Sequence, residues 1–165
     1  MSTVNPRARR LESEYRELRS AFDADDNVEI IAMGPAPSDK YRIIFKVPSL
    51  RLDAANRPVK VMVTIVDIEL PQGYPRVPPI AKTILDDNVF HPNFSQQKIC
   101  LQDHWAPARQ LVDTIKEISA MLQWQKFNIA SPLNAAAAEW SQTHAHEIPL
   151  SNIEIGINTA KIRQR

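Results

Sequence analysis

The spacing of hydrophobic and polar residues changes several times along the chain. Near its start, hydrophobic side chains recur at helical intervals, at Leu11, Tyr15, Leu18 and Phe22, with arginine and glutamate between them. Pro6 suits the first turn of a helix, and the acidic run after Phe22 interrupts the pattern. The spacing therefore predicts an amphipathic helix from Pro6 to Phe22.

Segments rich in β-branched residues follow this helix and are separated by short clusters of turn residues. Such segments favour the pleated conformation of a strand. The predicted strands are Val28–Met33, Tyr41–Val47 and Val59–Leu70, with a short fourth strand at Ile80–Ile84. Because the connections are short, the pattern indicates an antiparallel meander.

The stretch from Pro71 to Pro79 contains too many prolines for a helix or a central strand, and we expect a stiff loop there. Residues 86–107 then show no clean periodicity. A long aperiodic stretch inside a compact domain is often functional. The chain's one cysteine, Cys100, lies within it.

Helical spacing returns from Leu111 to Leu122, in the most hydrophobic helix of the chain, which we expect to pack on the sheet. A further helix is predicted at Asn134–His146, with Asn134 as its N-cap. The segment from Ile148 onwards is compatible with a strand, a docking segment or a disordered tail. Strands grouped apart from helices indicate an α+β fold.

Composition narrows the function classes. The chain has 165 residues and a formal net charge of +1 at pH 7, so one domain is expected and no strong field favours nucleic acid or a membrane surface. The sequence has no hydrophobic run long enough to span a bilayer, and residues 1–10 do not resemble a secretory signal. We therefore expect a cytoplasmic protein that binds neither nucleic acid nor membrane.

A single cysteine excludes an internal disulfide and a multi-cysteine metal site within one chain. Cys100 is then either a small buried hydrophobe or a nucleophile. A thiolate that attacks a carbonyl also needs a hydrogen-bond donor aimed at the developing oxyanion. The Asn93 amide suits that task because it donates hydrogen bonds and does not titrate.

The residues alone leave other interpretations open. A cysteine protease would need a histidine base, for which the chain offers His91, His104, His144 and His146. A metal site built from His91, Asp103 and His104 matches no familiar spacing, so we predict no metal and no cofactor. In the plainest interpretation, His91 and Asn93 shape a turn and Cys100 fills the core.

Five local signatures, taken together, resemble the ubiquitin-conjugating enzyme family over roughly residues 6–147. In chain order they are Tyr74-Pro75-x-x-Pro78-Pro79, His91-Pro92-Asn93, Ile99-Cys100-Leu101, Trp105-x-Pro107-Ala108 and Ser131-Pro132-Leu133. The resemblance implies an α+β fold with an N-terminal helix, a four-stranded antiparallel meander, a long active-site loop and two C-terminal helices. It implies one catalytic domain over residues 1–147, with 148–165 as a tail or extension.

By this resemblance, Cys100 accepts a ubiquitin-like protein from an activating enzyme as a thioester and transfers it to a lysine amine of a protein target. The alternative is a non-catalytic module that keeps the fold and binds a ubiquitin-like protein or its activating enzyme. The presence of both Cys100 and Asn93 argues against that alternative.

The resemblance also assigns roles to the residues around Cys100. Asn93 is the candidate oxyanion donor and also orders the loop. The structural residues of the site are His91, Pro92, Tyr74 and Trp105.

Several positions depart from the family pattern. Many members have an acidic residue just before the Pro-Leu turn, where this chain has Ser131, so Ser131, Asp103 and His104 are the candidates for activating the incoming amine. Arg76 replaces an aromatic residue of the proline-rich loop, which argues against a conventional RING- or HECT-type ligase partner. These departures, with a short interval after Cys100, resemble members found in bacterial ubiquitin-like conjugation operons, including antiphage systems.

In the family, the first helix contributes to docking of the activating enzyme. Arg7 and Arg10 lie near the start of this helix and have few acidic residues at helical spacing. We therefore expect these two arginines to contribute to docking.

Overall fold

The computed structural model describes residues 3, 5–84, 88–96, 98–101 and 105–157. Its elements are α1 (Pro6–Phe22), β1 (Val28–Met33), β2 (Lys40–Phe45), β3 (Ser49–Leu52), β4 (Pro58–Val61), β5 (Thr64–Glu69), β6 (Ile80–Thr83), α2 (Leu111–Leu122) and α3 (Ala135–Thr143). A 3₁₀ turn, Ala145–Glu147, follows α3. The predicted α+β class is confirmed. No helix in the described part of the chain combines the length and hydrophobicity needed to cross a membrane.

The main sheet has four strands in the order β1-β2-β5-β6, and all of its neighbouring pairs are antiparallel. The predicted meander is therefore confirmed. In β2 and β5 every second side chain is buried, as in the facing pair Ile43 and Val66. These buried side chains form one core with the hydrophobic faces of α1 and α2, so one face of the sheet supports both helices.

The prediction of one long strand at Val59–Leu70 is wrong. The chain forms β4, bends at Met62 and Val63, and then enters the main sheet as β5. Met62 and Val63 are consecutive and both about half exposed, at 50% and 47%, so the alternation of a single strand is broken there. β4 pairs instead with β3, a short strand that the sequence pattern did not predict, to form a separate two-stranded sheet.

The predicted hydrophobic stripe of α1 is wrong at one position. Tyr15 is 38% exposed, whereas Glu14 is 2% exposed and lies with Leu11 and Leu18 on the buried face. Positions three and four residues after Leu11 both lie on the same side of a helix. Because tyrosine is more hydrophobic than glutamate, the sequence pattern assigns Tyr15 rather than Glu14 to the buried face.

The N-cap predicted for α3 is confirmed, because the Asn134 side chain accepts a hydrogen bond from the Ala137 backbone N–H at 3.0 Å. The helix ends at Thr143, earlier than the predicted His146, and the 3₁₀ turn follows. The His144 ring stacks on the Trp140 ring with centroids 5.1 Å apart.

Residues 148–157 form an extended tail that docks on the rest of the molecule. The Gln123 side chain both donates to the Ile153 carbonyl, at 2.9 Å, and accepts from its N–H, at 2.8 Å. Ile155 is buried in the main core, at 5% exposure. Gly156, with φ of +71°, donates its N–H to Asp25, and a Cβ there would lie 2.7 Å from Lys116 Cε. Of the three interpretations of this segment, docking describes residues 148–157.

Replacement of Ile155 with alanine is expected to lower the free energy of unfolding by about 2–4 kcal/mol, because it removes buried hydrocarbon from the core. Leu150→Ala is the matched control, since Leu150 lies in the same tail at 72% exposure and its truncation should change stability by less than about 0.5 kcal/mol. Urea denaturation measures both. Equal stabilities for the two variants would show that the tail does not dock on the core.

Candidate active site

Cys100 ends a short hairpin that begins at Asn93. Phe94 and Ile99 form an antiparallel bridge, Ser95 N–H donates to the Lys98 carbonyl at 2.9 Å, and Cys100 N–H donates to the Asn93 carbonyl at 2.9 Å. Two residues that lie seven positions apart in the sequence are therefore joined through their backbones. The predicted nucleophile and the predicted oxyanion donor are neighbours at the open end of this hairpin.

The hairpin is fixed to the main sheet immediately before Cys100. Ile99 N–H donates to the Ala81 carbonyl of β6 at 2.8 Å, and the Phe94 and Ile99 side chains are buried in the core. Cys100 itself is only partly buried. The interpretation in which Cys100 fills the core is therefore not supported, because the neighbouring Ile99 does so.

The Asn93 side chain holds a second loop, which follows α2. Its Oδ1 accepts the Asn128 N–H at 2.8 Å, and its Nδ2 donates to the Asn128 carbonyl at 3.3 Å. A carboxamide has two N–H donors, so one remains for another acceptor. The sequence does not predict a role for Asn128, because a single asparagine in a loop has no distinctive pattern. The Asn128 Oδ1 also accepts the Ala130 N–H at 2.8 Å in an Asx turn.

His91 is buried beneath the hairpin and is electrically neutral. Its Nδ1 accepts the Asn93 N–H at 3.0 Å, so Nε2 carries the proton and donates to the Lys126 carbonyl at 3.2 Å. The His91 ring lies against the Trp124 ring, with centroids 4.8 Å apart. This burial lowers the pKa of His91 from 6.5 to about 3. Both ring nitrogens are occupied, so His91 is not available as the base that a cysteine protease would need.

The loop that carries Ser131 is held to the His91–Asn93 segment near both of its ends. Asn128 bonds to Asn93, and Asn134 N–H donates to the Pro92 carbonyl at 3.0 Å. Ser131 is exposed between these two anchors. The other candidates for amine activation, Asp103 and His104, lie outside the described residues.

Trp105, five residues after Cys100 in the sequence, packs against Tyr74 of the proline-rich loop. The Trp105 indole N–H donates to the Pro75 carbonyl at 2.7 Å, and the two rings lie 5.8 Å apart. The Tyr74 hydroxyl donates to Glu14 Oε1 at 2.6 Å. Burial and this hydrogen bond raise the pKa of Tyr74 above its ordinary value, so it remains a donor. The sequence predicts Tyr74 as a structural residue of the site but does not predict Glu14.

The reason given for docking by Arg7 and Arg10, a scarcity of partners, is wrong. Arg7 donates to the Leu70 carbonyl at 2.9 Å. Arg10 donates to Glu14 at 2.7 Å and to the Arg109 carbonyl at 2.6 Å. Glu14 is an acidic residue four positions after Arg10 on the same helix. The other two partners are backbone carbonyls, which a search for acidic residues does not consider. A docking role for the two arginines stays a prediction without that argument.

The described residues contain no group of three or more His, Cys, Asp or Glu side chains arranged to hold a metal ion. Of the metal site considered from the sequence, only His91 is described. Its two ring nitrogens are occupied by hydrogen bonds.

The buried neutral His91 predicts a specific pH dependence of stability. Between about pH 6.5 and pH 3 the unfolded chain binds a proton at His91 that the folded protein excludes, so stability falls as the pH falls. In His91→Gln, the slope of unfolding free energy against pH should be shallower in this window, by at most about 1.4 kcal/mol per pH unit. His146→Gln, at an exposed position, is the control and should keep the wild-type slope. A wild-type slope in His91→Gln would contradict a neutral His91.

Comparisons with known proteins agree with this geometry. A family model described as ubiquitin-conjugating enzyme matches residues 57–149, which is more than half of the chain. Ubiquitin-conjugating enzyme E2 27 of Arabidopsis thaliana is 31% identical over 123 residues, a match that covers 59% of this chain and 62% of that protein. The chain thus spans less than two thirds of the length of this relative.

The matched region contains the proline-rich loop, the His91–Asn93 segment, Cys100, Trp105 and the Ser131 loop. The fold has the helices and the antiparallel four-stranded sheet expected of that family. The chain therefore belongs to the ubiquitin-conjugating enzyme family.

Proposed function

We propose that this protein carries a ubiquitin-like protein as a thioester on Cys100 and transfers it to an amine of a protein target. The observation that carries the proposal is the position of Cys100. It is partly exposed at the end of a sheet-anchored hairpin, and its backbone N–H donates a hydrogen bond to the Asn93 carbonyl. A nucleophile on a rigid support meets its substrate in a reproducible orientation. Family membership supports the same function.

The first step moves an acyl group from one sulfur to another. The Cys100 thiolate attacks the C-terminal carbonyl of the ubiquitin-like protein, which arrives as a thioester on its activating enzyme. A tetrahedral oxyanion forms and collapses, the new C–S bond remains on Cys100, and the thiolate of the activating enzyme leaves. The partners implied are an activating enzyme, a ubiquitin-like protein and a protein substrate.

The free Nδ2 hydrogen of Asn93 is the proposed donor to the oxyanion. Asn93 is 6% exposed and its amide plane is held by two hydrogen bonds to Asn128. A donor that is already oriented needs little rearrangement as negative charge develops. Asn93 thus has two roles, since it also positions the loop beside Cys100.

The second step transfers the acyl group to an amine, which must lose a proton. A free lysine has a pKa of about 10.4 and is mostly protonated near neutral pH. Ser131 lies on a loop anchored at Asn128 and Asn134, and its hydroxyl can orient the amine without acting as a strong base. Asp103 and His104 stay as the candidates for accepting the proton.

Incubation of the protein with its ubiquitin-like protein, the activating enzyme and ATP should give a covalent adduct on a gel without reductant. Added thiol should release the adduct. Cys100→Ala should not form it, because a chain with one cysteine has no other thiol that could form a thioester. Cys100→Ser, if acylated, should give an ester that thiol does not release.

The control is binding of the ubiquitin-like protein to Cys100→Ala. If the wild type binds the ubiquitin-like protein as Cys100→Ala does and forms no adduct, the chain is a non-catalytic binding module and the proposal is wrong.

Asn93→Ala should slow transfer to lysine by about 100–1000-fold, because it removes the oxyanion donor. Asn93→Asp keeps the acceptor for the Asn128 N–H but loses both donations, to the Asn128 carbonyl and to the oxyanion, so it retains one of the two loop contacts. Single-turnover discharge of the purified thioester into free lysine measures both variants. If Asn93→Asp transfers at the wild-type rate, Asn93 acts through the loop alone.

A further inference from the structure

Glu14 is a carboxylate buried inside the molecule on α1. It is 2% exposed and lies on the helix face that contains Leu11 and Leu18. Burial of a charged carboxylate is costly unless hydrogen bonds and opposite charge compensate. Its position on the core face therefore calls for a specific set of partners.

Three donors from three parts of the chain meet at this carboxylate. Oε1 accepts the Tyr74 hydroxyl at 2.6 Å and Arg10 Nε at 2.7 Å. Oε2 accepts the backbone N–H of Leu111, the first residue of α2, at 2.9 Å. The first N–H groups of a helix lack partners within the helix, and negative charge is favourable at that end. Glu14 thus supplies to α2 an acceptor from a different helix.

Two partners of Glu14, Arg10 and Tyr74, also contact the segment that follows the active-site loop. The Arg10 guanidinium donates to the carbonyls of Pro107, at 2.7 Å, and Arg109, at 2.6 Å. The Tyr74 ring lies against the Trp105 ring, at 5.8 Å between centroids. Residues 105–111 are therefore contacted at every second position by Glu14 or by a group bonded to it.

Cys100 lies five residues before this segment. The hairpin that precedes Cys100 is fixed by separate contacts, which run to β6 and to Asn128. The segments before and after Cys100 are thus held by different groups of atoms. Glu14 is at the centre of the contacts on the downstream side.

We propose that Glu14 is a positioning residue for acyl transfer from Cys100. Through Tyr74, Arg10 and Leu111 it holds the segment from Trp105 to Leu111. This segment begins five residues after Cys100, and its first residue, Trp105, packs against the same core as Leu101, the residue next to Cys100. This inference rests on the proposed function and adds a residue of α1 to it. Loss of Glu14 shifts this segment, and small displacements of groups around a reacting bond can cost up to about 100-fold in rate.

For the test, Cys100 is charged without an activating enzyme, by reaction with ubiquitin whose C-terminus is a thioester of 2-mercaptoethanesulfonate. Discharge of the resulting Cys100 thioester into free lysine is then followed. Glu14→Gln keeps the size of the side chain but loses the charge and one of the two acceptor oxygens. The rate constant at saturating lysine should fall about tenfold. The lysine concentration at half-maximal rate should stay unchanged, because Glu14 does not contact the amine.

Ile155→Ala is the control for a purely structural role, since it also destabilises the fold but lies in the tail. Its discharge rate should equal that of the wild type under conditions where urea denaturation shows all variants to be folded. Tyr74→Phe removes one donor to Glu14 and should slow the same step by a smaller factor. It also serves as the test if Glu14→Gln does not fold.

Wild-type discharge rates in both Glu14→Gln and Tyr74→Phe would overturn the inference and leave the proposed function intact. Slowing equal to that of Ile155→Ala would do the same, since the effect would then follow from stability alone. The proposed function itself would fail if the wild-type thioester on Cys100 reacted with lysine no faster than the starting small-molecule thioester.

Discussion

A buried carboxylate on the first helix holds together parts of the chain that are far apart in sequence. Glu14 accepts hydrogen bonds from Tyr74 of the proline-rich loop, from Arg10 one turn earlier on α1 and from the first N–H of α2. A charge at this depth is tolerated because both oxygens are bonded and the Arg10 guanidinium is adjacent. Glu14 thus connects α1 with the proline-rich loop and α2. Its partners Arg10 and Tyr74 also contact the segment from Trp105 to Leu111.

The segment that leads to Cys100 is held by neutral groups. His91 is held in its neutral form by burial, and Asn93 connects the hairpin to the loop after α2 through its amide. Neutral donors leave the region beside Cys100 without a fixed charge from these two side chains. In the proposed reaction, the developing oxyanion would therefore meet an oriented dipole. The charged assembly around Glu14 and the neutral one around Asn93 thus have separate tasks.

Much of this organisation follows from the sequence because periodicity reports burial. The spacing of Leu111 to Leu122 predicted α2, and the β-branched runs predicted the main sheet. Periodicity failed where two neighbours compete for one face, as with Glu14 and Tyr15, and where a β-branched run continues through a bend, as at Met62 and Val63. Contacts to backbone carbonyls, such as those of Arg7 and Arg10, cannot be predicted from the spacing of residues, because every residue has a carbonyl.

The central claim is that Cys100 carries the acyl group, and intact-mass spectrometry of the reacted protein tests it most directly. After incubation with the ubiquitin-like protein, its activating enzyme and ATP, the mass should increase by that of the modifier less one water. Proteolysis should place the bond on the peptide that contains Cys100, and hydroxylamine should cleave it. A modifier found on a lysine of the chain, with the Cys100 thiol free throughout the reaction, would contradict the account.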